Sequence, residues 1–208
     1  MKVIGLTGGS GSGKGAVGKI LHSLGIPVID TDAIYREMTE APGSCLSALE
    51  AEFGDSIITE SGSLNRPVLA ELVFSGDDSE ERRARLNEIS HKYILDETRI
   101  RLNVFREQGY DLAAIDAPVL FESGFDKDCD FIVCVIADRE IRIGRIMARD
   151  CISRERAEMR IDAQMADSEL IGRSDYVIVN NSDVELLASA VQNMVDNVKM
   201  NYNLKGEK

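Results

Sequence analysis

At 208 residues and 44% apolar side chains, the chain carries enough hydrophobic material for one full domain with a real core, with room for at most a small insertion, and too much for a disordered protein. Its net charge of −12 excludes a broad basic surface of the kind that binds nucleic acid, so an anionic ligand has to be met by a local cluster of cations. No apolar run approaches a membrane span, and Met1 leads straight into an apolar segment without a signal-type leader, so a soluble, cytoplasmic protein with no membrane partner is expected.

In chain order, Val3, Ile4 and Leu6 form a short apolar run that ends in Thr7-Gly8-Gly9-Ser10-Gly11-Ser12-Gly13-Lys14. Ala16, Val17, Ile20 and Leu21 then recur at helical spacing, so the order is strand, glycine loop, helix. Read from Gly8 the loop is G-x-x-x-x-G-K. In this pattern glycines let backbone N–H groups turn towards the β- and γ-phosphates, the lysine reaches them as a point charge, and the helix N-terminus adds its dipole. The residue after the lysine, serine or threonine in the full pattern, is Gly15 here and is followed by Ala16, so no hydroxyl stands ready for Mg²⁺. A dinucleotide reading would use Gly11, Gly13 and Ala16, with Asp30 or Asp32 on a ribose. It sets its first glycine too far beyond the strand and leaves Lys14 without a role.

Gly25 closes the first helix, and Pro27-Val28-Ile29 is a second strand ending in Asp30-Thr31-Asp32. One of these acids can cap the helix expected from about Ala33, which leaves the other to face the crevice at the strand ends. Residues 33–108 read as mostly helical, broken at Pro42-Gly43, Gly54, Gly62 and Gly76, with Asn65 as an N-cap and Pro67 just inside the following helix. This is a helical insertion on the acceptor side. His91 lies within it, where a packing or hydrogen-bonding role is the plain reading.

Leu112–Ile115, ending in Asp116, and Phe131–Ile136, preceded by Asp130, are buried-type strands. With the strand before Asp30 they make three acid-bearing strands expected to converge on one edge. Tyr176–Val179 is a further strand, ending in Asn180, and a last helix runs from Asp183 to about Asn203, with residues 204–208 expected to fray. Alternating strands and helices of this spacing give an α/β fold with a mainly parallel sheet covered on both faces. Cys45, Cys129, Cys134 and Cys151 form no C-x-x-C pair and lie far from His22 and His91, so small buried thiols are expected and neither a zinc site nor a disulfide framework.

Residues 139–160 reverse the charge of the chain, with seven arginines against four acids. Arg142, Arg145 and Arg149 share one helical face. Arginine's rigid fork suits the charge that builds on a transferring phosphoryl group, and a helical lid over residues 139–165 would exclude water from it.

Taken together, these features make the chain similar to the dephospho-coenzyme A kinase family over nearly its whole length. The resemblance is carried by Gly5-Leu6-Thr7-Gly8-Gly9, Ile29-Asp30-Thr31-Asp32, Asn65-Arg66, Leu86-Asn87 with His91, Asp116-Ala117-Pro118-Val119-Leu120-Phe121-Glu122, Arg145 with Arg149-Asp150, Arg160 with Gln164, and Asp175-Tyr176-Val177-Ile178 with Asn180. The chain departs from the family at Gly15 and Ala16, which replace hydroxyl residues, and at Arg142, where glutamine is common.

The resemblance implies a three-layer P-loop kinase core, with a helical acceptor insertion and a helical lid, that uses ATP and Mg²⁺ to phosphorylate the small molecule dephospho-coenzyme A on its ribose 3′-hydroxyl. By the same resemblance Gly8, Gly9, Gly11, Ser12, Gly13, Lys14, Gly15 and Ala16 would hold the ATP phosphates, and Asn180 would lie near adenine. Asp32 would accept or orient the acceptor proton, and Arg66, His91 and Asp116 would serve the acceptor, with Asp116 alternatively in the Mg²⁺ shell. Lys14, Arg145 and Arg149 would stabilise the transferring charge. No motif specifies the metal ligands or the oligomeric state. Two alternatives share the nucleotide features: a P-loop kinase for another small acceptor, such as a nucleoside monophosphate, and a nucleotide-binding regulator that has lost catalysis.

Overall fold

The computed structural model describes residues 1–204; most of the segment expected to fray, residues 205–208, lies outside the described residues. The chain divides into two compact units, Met1–Ile29 with the chain from Val104 onward, and Asp30–Asn103.

The first unit is built on a five-stranded parallel sheet in the order β2-β3-β1-β4-β5, with β1 at Lys2–Thr7, β2 at Val28–Asp30, β3 at Leu112–Asp116, β4 at Phe131–Ile136 and β5 at Tyr176–Val179. These strands read as unbroken apolar runs because both faces are covered. On one face Ile4, Leu6, Val133, Val135 and Ile178 pack against Val17 and Leu21 of α1 (Lys14–Ser23) and against Val191, Met194, Val195 and Val198 of α9 (Val184–Asn201). On the other, Cys134 and its neighbours Ile132 and Ile136 meet Phe121 and Leu170, the latter from α8 (Asp167–Gly172). Between β4 and β5, α6 (Arg139–Asp150) and α7 (Arg154–Asp162) bury Ile143, Ile146, Ala157 and Ile161 against each other. A short 3₁₀ turn at Phe125–Asp128 precedes β4.

In this parallel sheet β1 and β3 run in register from Lys2↔Leu112 to Leu6↔Asp116, so Thr7 and Asp116 end neighbouring strands on one edge. Asp130 does not join them, contrary to the expectation from sequence. It precedes β4 and so sits at the amino-terminal edge, where its carboxylate accepts from Lys2 Nζ at 2.7 Å and from the Val3 N–H at 2.9 Å. The thiol expectation also needs one correction. Cys45 and Cys134 are buried and Cys129 is partly buried, but Cys151 is exposed in a left-handed turn (φ 52°) at the end of α6. Burial pushes the Cys134 thiol up to about 11 and that of Cys129 to about 12, which leaves both protonated at neutral pH.

The second unit is helical: α2 (Thr31–Glu40), α3 (Ser44–Phe53), α4 (Arg66–Phe74) and the greater part of α5 (Ser79–Glu107), with a short 3₁₀ turn at Asp55–Ile57. Leu46, Leu49, Ile57, Leu69 and Val73 form its own core. The breaks fall at Pro42-Gly43, Gly54, Gly62 and Gly76, as the glycine and proline positions indicate. Asn65 caps α4 by accepting from the Val68 N–H, with Pro67 inside the first turn. The helix expected from Ala33 begins two residues earlier, at Thr31, because the Asp30 carboxylate takes the cap and accepts from the N–H groups of Asp32 and Ala33 at 2.9 and 3.0 Å. Asp32 is therefore the acid that the cap does not use.

Candidate active site

The glycine loop between β1 and α1 is held from its carbonyl side. Gly9 C=O accepts from the Ser12 N–H at 3.1 Å, closing a turn. Ser10 C=O accepts from Arg142 Nε at 2.9 Å, and Gly11 C=O from Arg145 Nη1 at 3.3 Å. Ser12 C=O accepts from Asn180 Nδ2 at 2.8 Å and from Arg145 Nη1 at 3.3 Å. Gly13 C=O begins the α1 ladder through Ala16 and Val17. In a trans peptide the carbonyl and the following N–H point in opposite directions. With the carbonyls of Ser10, Ser12 and Gly13 drawn to these donors, the N–H groups of Gly11, Gly13 and Lys14 turn the other way, as an anion nest requires. The conformation needs left-handed backbone at Gly11 (φ 78°) and Gly13 (φ 94°), which only glycine adopts without strain.

The same loop opens α1 with no capping side chain and no acid in its first turn, so no residue of the helix itself offsets its N-terminal dipole. The Ser12 hydroxyl is buried and has no hydrogen-bond partner, an orphaned polar atom inside the loop that a phosphate oxygen would satisfy. Lys14 Nζ forms an ion pair with Asp116 Oδ1, which joins the start of α1 to the end of β3, and both side chains are largely buried. Gly15 and Ala16 are exposed, and no atom lies within 4 Å of where a Cβ on Gly15 would stand.

Arg142, Arg145 and Arg149 of α6 all reach this loop, as their shared face indicates, while Arg139 pairs with Asp162. Arg142 is buried and also pairs with Asp167, while Arg145 reaches Gly11 and Ser12. Arg149 donates to both oxygens of Asp150 at 2.8 and 2.9 Å and to Ser10 Oγ at 3.4 Å. Arg160 closes on the same Asp150, and the two guanidiniums, Arg149 first, hold that carboxyl down at about 2. Asn180, assigned to the neighbourhood of adenine by resemblance, is buried with its amide on Ser12 C=O.

In the second unit Asp32 stands in the first turn of α2. Arg66, the first residue of α4, donates to Thr39 Oγ1 at 2.8 Å and lies 5.4 Å from the centre of the Tyr35 ring. His91 is partly buried in α5. Burial raises the Tyr35 hydroxyl above its ordinary range.

A family model described as dephospho-CoA kinase matches residues 2–185, nearly the whole described chain. The chain belongs to the dephospho-CoA kinase family. The dephospho-CoA kinase of Fusobacterium nucleatum subsp. nucleatum is 38% identical over 197 residues, covering 94% of this chain and 98% of that one. A solved structure from Thermus thermophilus superposes with a TM-score of 0.77 at 31% identity, over 95% of this chain and 97% of that one. The dephospho-CoA kinase of Campylobacter jejuni shares the fold, with a TM-score of 0.71 at 21% identity over 97% and 100% of the two chains.

Sequence reasoning passed over Arg142 and Asp167 as parts of this site. Arg142 was visible as the first of three arginines on one face, but nothing in the local pattern separates a buried arginine from a solvated one. Asp167 lies 25 residues further on, in the first turn of α8, where an acid reads as ordinary helix-dipole compensation. Gln164 stood only as a mark of resemblance. Its Oε1 accepts from the Ser10 N–H at 2.8 Å, which brings it into direct contact with the loop.

Proposed function

We propose that this chain is an ATP-dependent kinase that phosphorylates the ribose 3′-hydroxyl of dephospho-coenzyme A, giving coenzyme A and ADP in the last step of coenzyme A synthesis. The observation that carries the reading is the glycine loop with its carbonyls drawn back by Arg142, Arg145 and Asn180 beside the Lys14–Asp116 pair, in a chain that belongs to this family almost from end to end. The protein is read as acting in the cytoplasm. Among the described residues no helix is long and apolar enough to cross a membrane.

In this reading the backbone of Gly8, Gly9, Gly11, Ser12, Gly13, Gly15 and Ala16 binds the ATP phosphates, and Lys14 supplies the point charge on them. Ser12 Oγ and the α1 N-terminus fit that task, because both are without a protein partner or cap that the fold itself supplies. Asp32 receives or orients the acceptor proton, and Arg66 and His91 bind the acceptor. Arg145 and Arg149 neutralise charge on the transferring group. Asn180 acts on the nucleotide side by fixing Ser12. A loose phosphoryl-transfer transition state asks for positioning and charge neutralisation more than for a strong base.

Mg²⁺, where bound, would be held by phosphate oxygens with Asp116 and would neutralise charge across the β- and γ-phosphates. Among the described residues no group of three or more His, Cys, Asp and Glu side chains gathers that could hold a metal ion. The missing hydroxyl at Gly15 is the one observation that favours a second reading, a nucleotide-binding regulator. A coupled ADP-release assay with dephospho-coenzyme A and a panel of nucleoside monophosphates tests both. ADP release that depends on dephospho-coenzyme A supports the kinase. Release with another acceptor alone moves the substrate, and ATP binding without any release supports the regulator.

A further inference from the structure

Arg142 has no part in the chemistry above, yet among the described charged residues it is one of two that are buried, at 4% exposure against 9% for Asp116. Its guanidinium is divided among three partners. Nε donates to Ser10 C=O at 2.9 Å, Nη1 to the two oxygens of Asp167 at 2.9 and 3.2 Å, and Nη2 to Gln164 Oε1 at 3.3 Å. Gln164 Oε1 also accepts from the Ser10 N–H at 2.8 Å, so both backbone polar groups of Ser10 are held by this one cluster. Burying a guanidinium is unfavourable unless it is fully paired. Packing of α6 does not call for it, since Ile143 and Ile146 already cover the α7 contact.

The loop is shaped around the same residue. A Cβ on Gly9 would come within 2.2 Å of Arg142 Nη2, and one on Gly11 within 2.7 Å of the Arg142 carbonyl oxygen and 2.9 Å of its Cα. Gly9 is therefore fitted to the Arg142 guanidinium, and Gly11 to the α6 backbone at the same position, before any ligand is considered.

We propose that Arg142 is a positioning residue for nucleotide binding. By holding Ser10 C=O it fixes the peptide plane that turns the Gly11 N–H towards the phosphate, and through Gln164 and Asp167 it ties that plane to the α7–α8 connection and the start of α8. The proposal rests on the reading of the loop as the ATP phosphate site.

The test compares the parent with Arg142→Met, Arg142→Lys and Gln164→Ala, measuring ADP affinity by calorimetry, thermal unfolding without nucleotide, and steady-state kinetics with dephospho-coenzyme A. Arg142→Met keeps the aliphatic stem and loses the fork. It is expected to bind ADP about tenfold more weakly or worse, the size of one misdirected charge-assisted contact, with a matching rise in KM for ATP and kcat within a few fold. Arg142→Lys restores a charge opposite Asp167 and with it the melting temperature, but not ADP affinity, because an ammonium cannot bridge Ser10, Gln164 and Asp167 together. Gln164→Ala leaves Arg142 in place and shifts ADP affinity in the same direction by less, which keeps the test alive if Arg142→Met does not fold. Parental ADP affinity in a folded Arg142→Met or in Gln164→Ala overturns the proposal, as does full rescue of affinity by lysine. A parent that fails to bind ADP would instead remove the phosphate-site reading on which the proposal rests.

Discussion

Gly15→Ser returns the hydroxyl that the G-x-x-x-x-G-K pattern ordinarily carries after its lysine, and the structure sets what it should do to stability and to metal use separately. Gly15 is the second residue of α1 and is exposed, and a Cβ there meets nothing within 4 Å. Its backbone is helical, so serine pays no steric penalty and removes part of glycine's conformational freedom in the unfolded chain. On helix-propensity scales the exchange is worth roughly 0.5 kcal/mol, or about 1–2 °C in melting temperature for a protein of this size. The contrasting variant is Gly13→Ser, two residues earlier. There φ is +94° and the new Cβ would stand 2.0 Å from Asn180 Nδ2, so strain and collision together cost on the order of 1–3 kcal/mol or more. Melting curves without nucleotide should move up slightly for Gly15→Ser and down by several degrees for Gly13→Ser. Mg²⁺ is then titrated at fixed ATP. A hydroxyl supplies one of six oxygens to an ion that gives up water reluctantly, so Gly15→Ser should lower the Mg²⁺ concentration for half-maximal rate. A destabilised Gly15→Ser would refute the open space at that position. An unchanged midpoint would show that the absent hydroxyl does not limit metal capture, and an inactive parent rescued by serine would favour the regulator.

Four further variants address the proposed residues and the ion pairs beside them. Asp32→Asn should lose roughly 10²–10⁴ in kcat with ATP affinity nearly unchanged; turnover within a few fold of the parent would move the role to Asp116, since Asp30 is engaged as the α2 cap. Arg145→Ala and Arg149→Ala should each lower kcat and kcat/KM together, the mark of contacts made in the transition state. A raised KM for ATP at parental kcat would make them supports of the loop instead, Arg145 through the Gly11 and Ser12 carbonyls and Arg149 through the Ser10 hydroxyl. Asp150, drawn down from 3.8 to about 2 by Arg149 and then Arg160, contributes stability that is present above the ordinary carboxyl range and lost as pH falls through about 2. The melting temperature of Asp150→Asn should therefore fall short of the parent at pH 6 and converge with it towards pH 2, and a gap that stays constant with pH would show that the bridge is not its source.

Much of the fold can be read from local pattern because the sheet is covered on both faces. Phe131–Ile136 and Tyr176–Val179 are strands with the bounds their apolar runs suggest, and Pro42-Gly43, Gly54, Gly62 and Gly76 break the helical unit where they stand. What the pattern could not supply is direction and depth. An acid beside a strand belongs to the ligand edge only if it follows the strand, and Asp130 precedes β4 and binds Lys2 and Val3 at the other edge. Two acids on either side of Thr31 are equivalent as letters, and only the backbone bonds from Asp32 and Ala33 single out Asp30 as the cap. Arg142 and Arg149 share one face of α6, yet one is buried and the other exposed, because the loop that covers the first comes from more than 130 positions away.

That distance bears on what the glycine motif means. The pattern Gly8 to Lys14 describes the side of the loop that faces an anion, and glycine alone only permits the required backbone; it does not select it, since a flexible loop pays conformational entropy to adopt any one arrangement. Selection needs donors for the carbonyls on the opposite side. Here they are Arg142 on Ser10, Arg145 on Gly11 and Ser12, and Asn180 on Ser12, with Gln164 on the Ser10 N–H, all contributed by residues 142–180. The loop geometry is therefore specified twice in the chain, once by glycines that allow it and once by polar side chains that hold it. A motif search sees only the first.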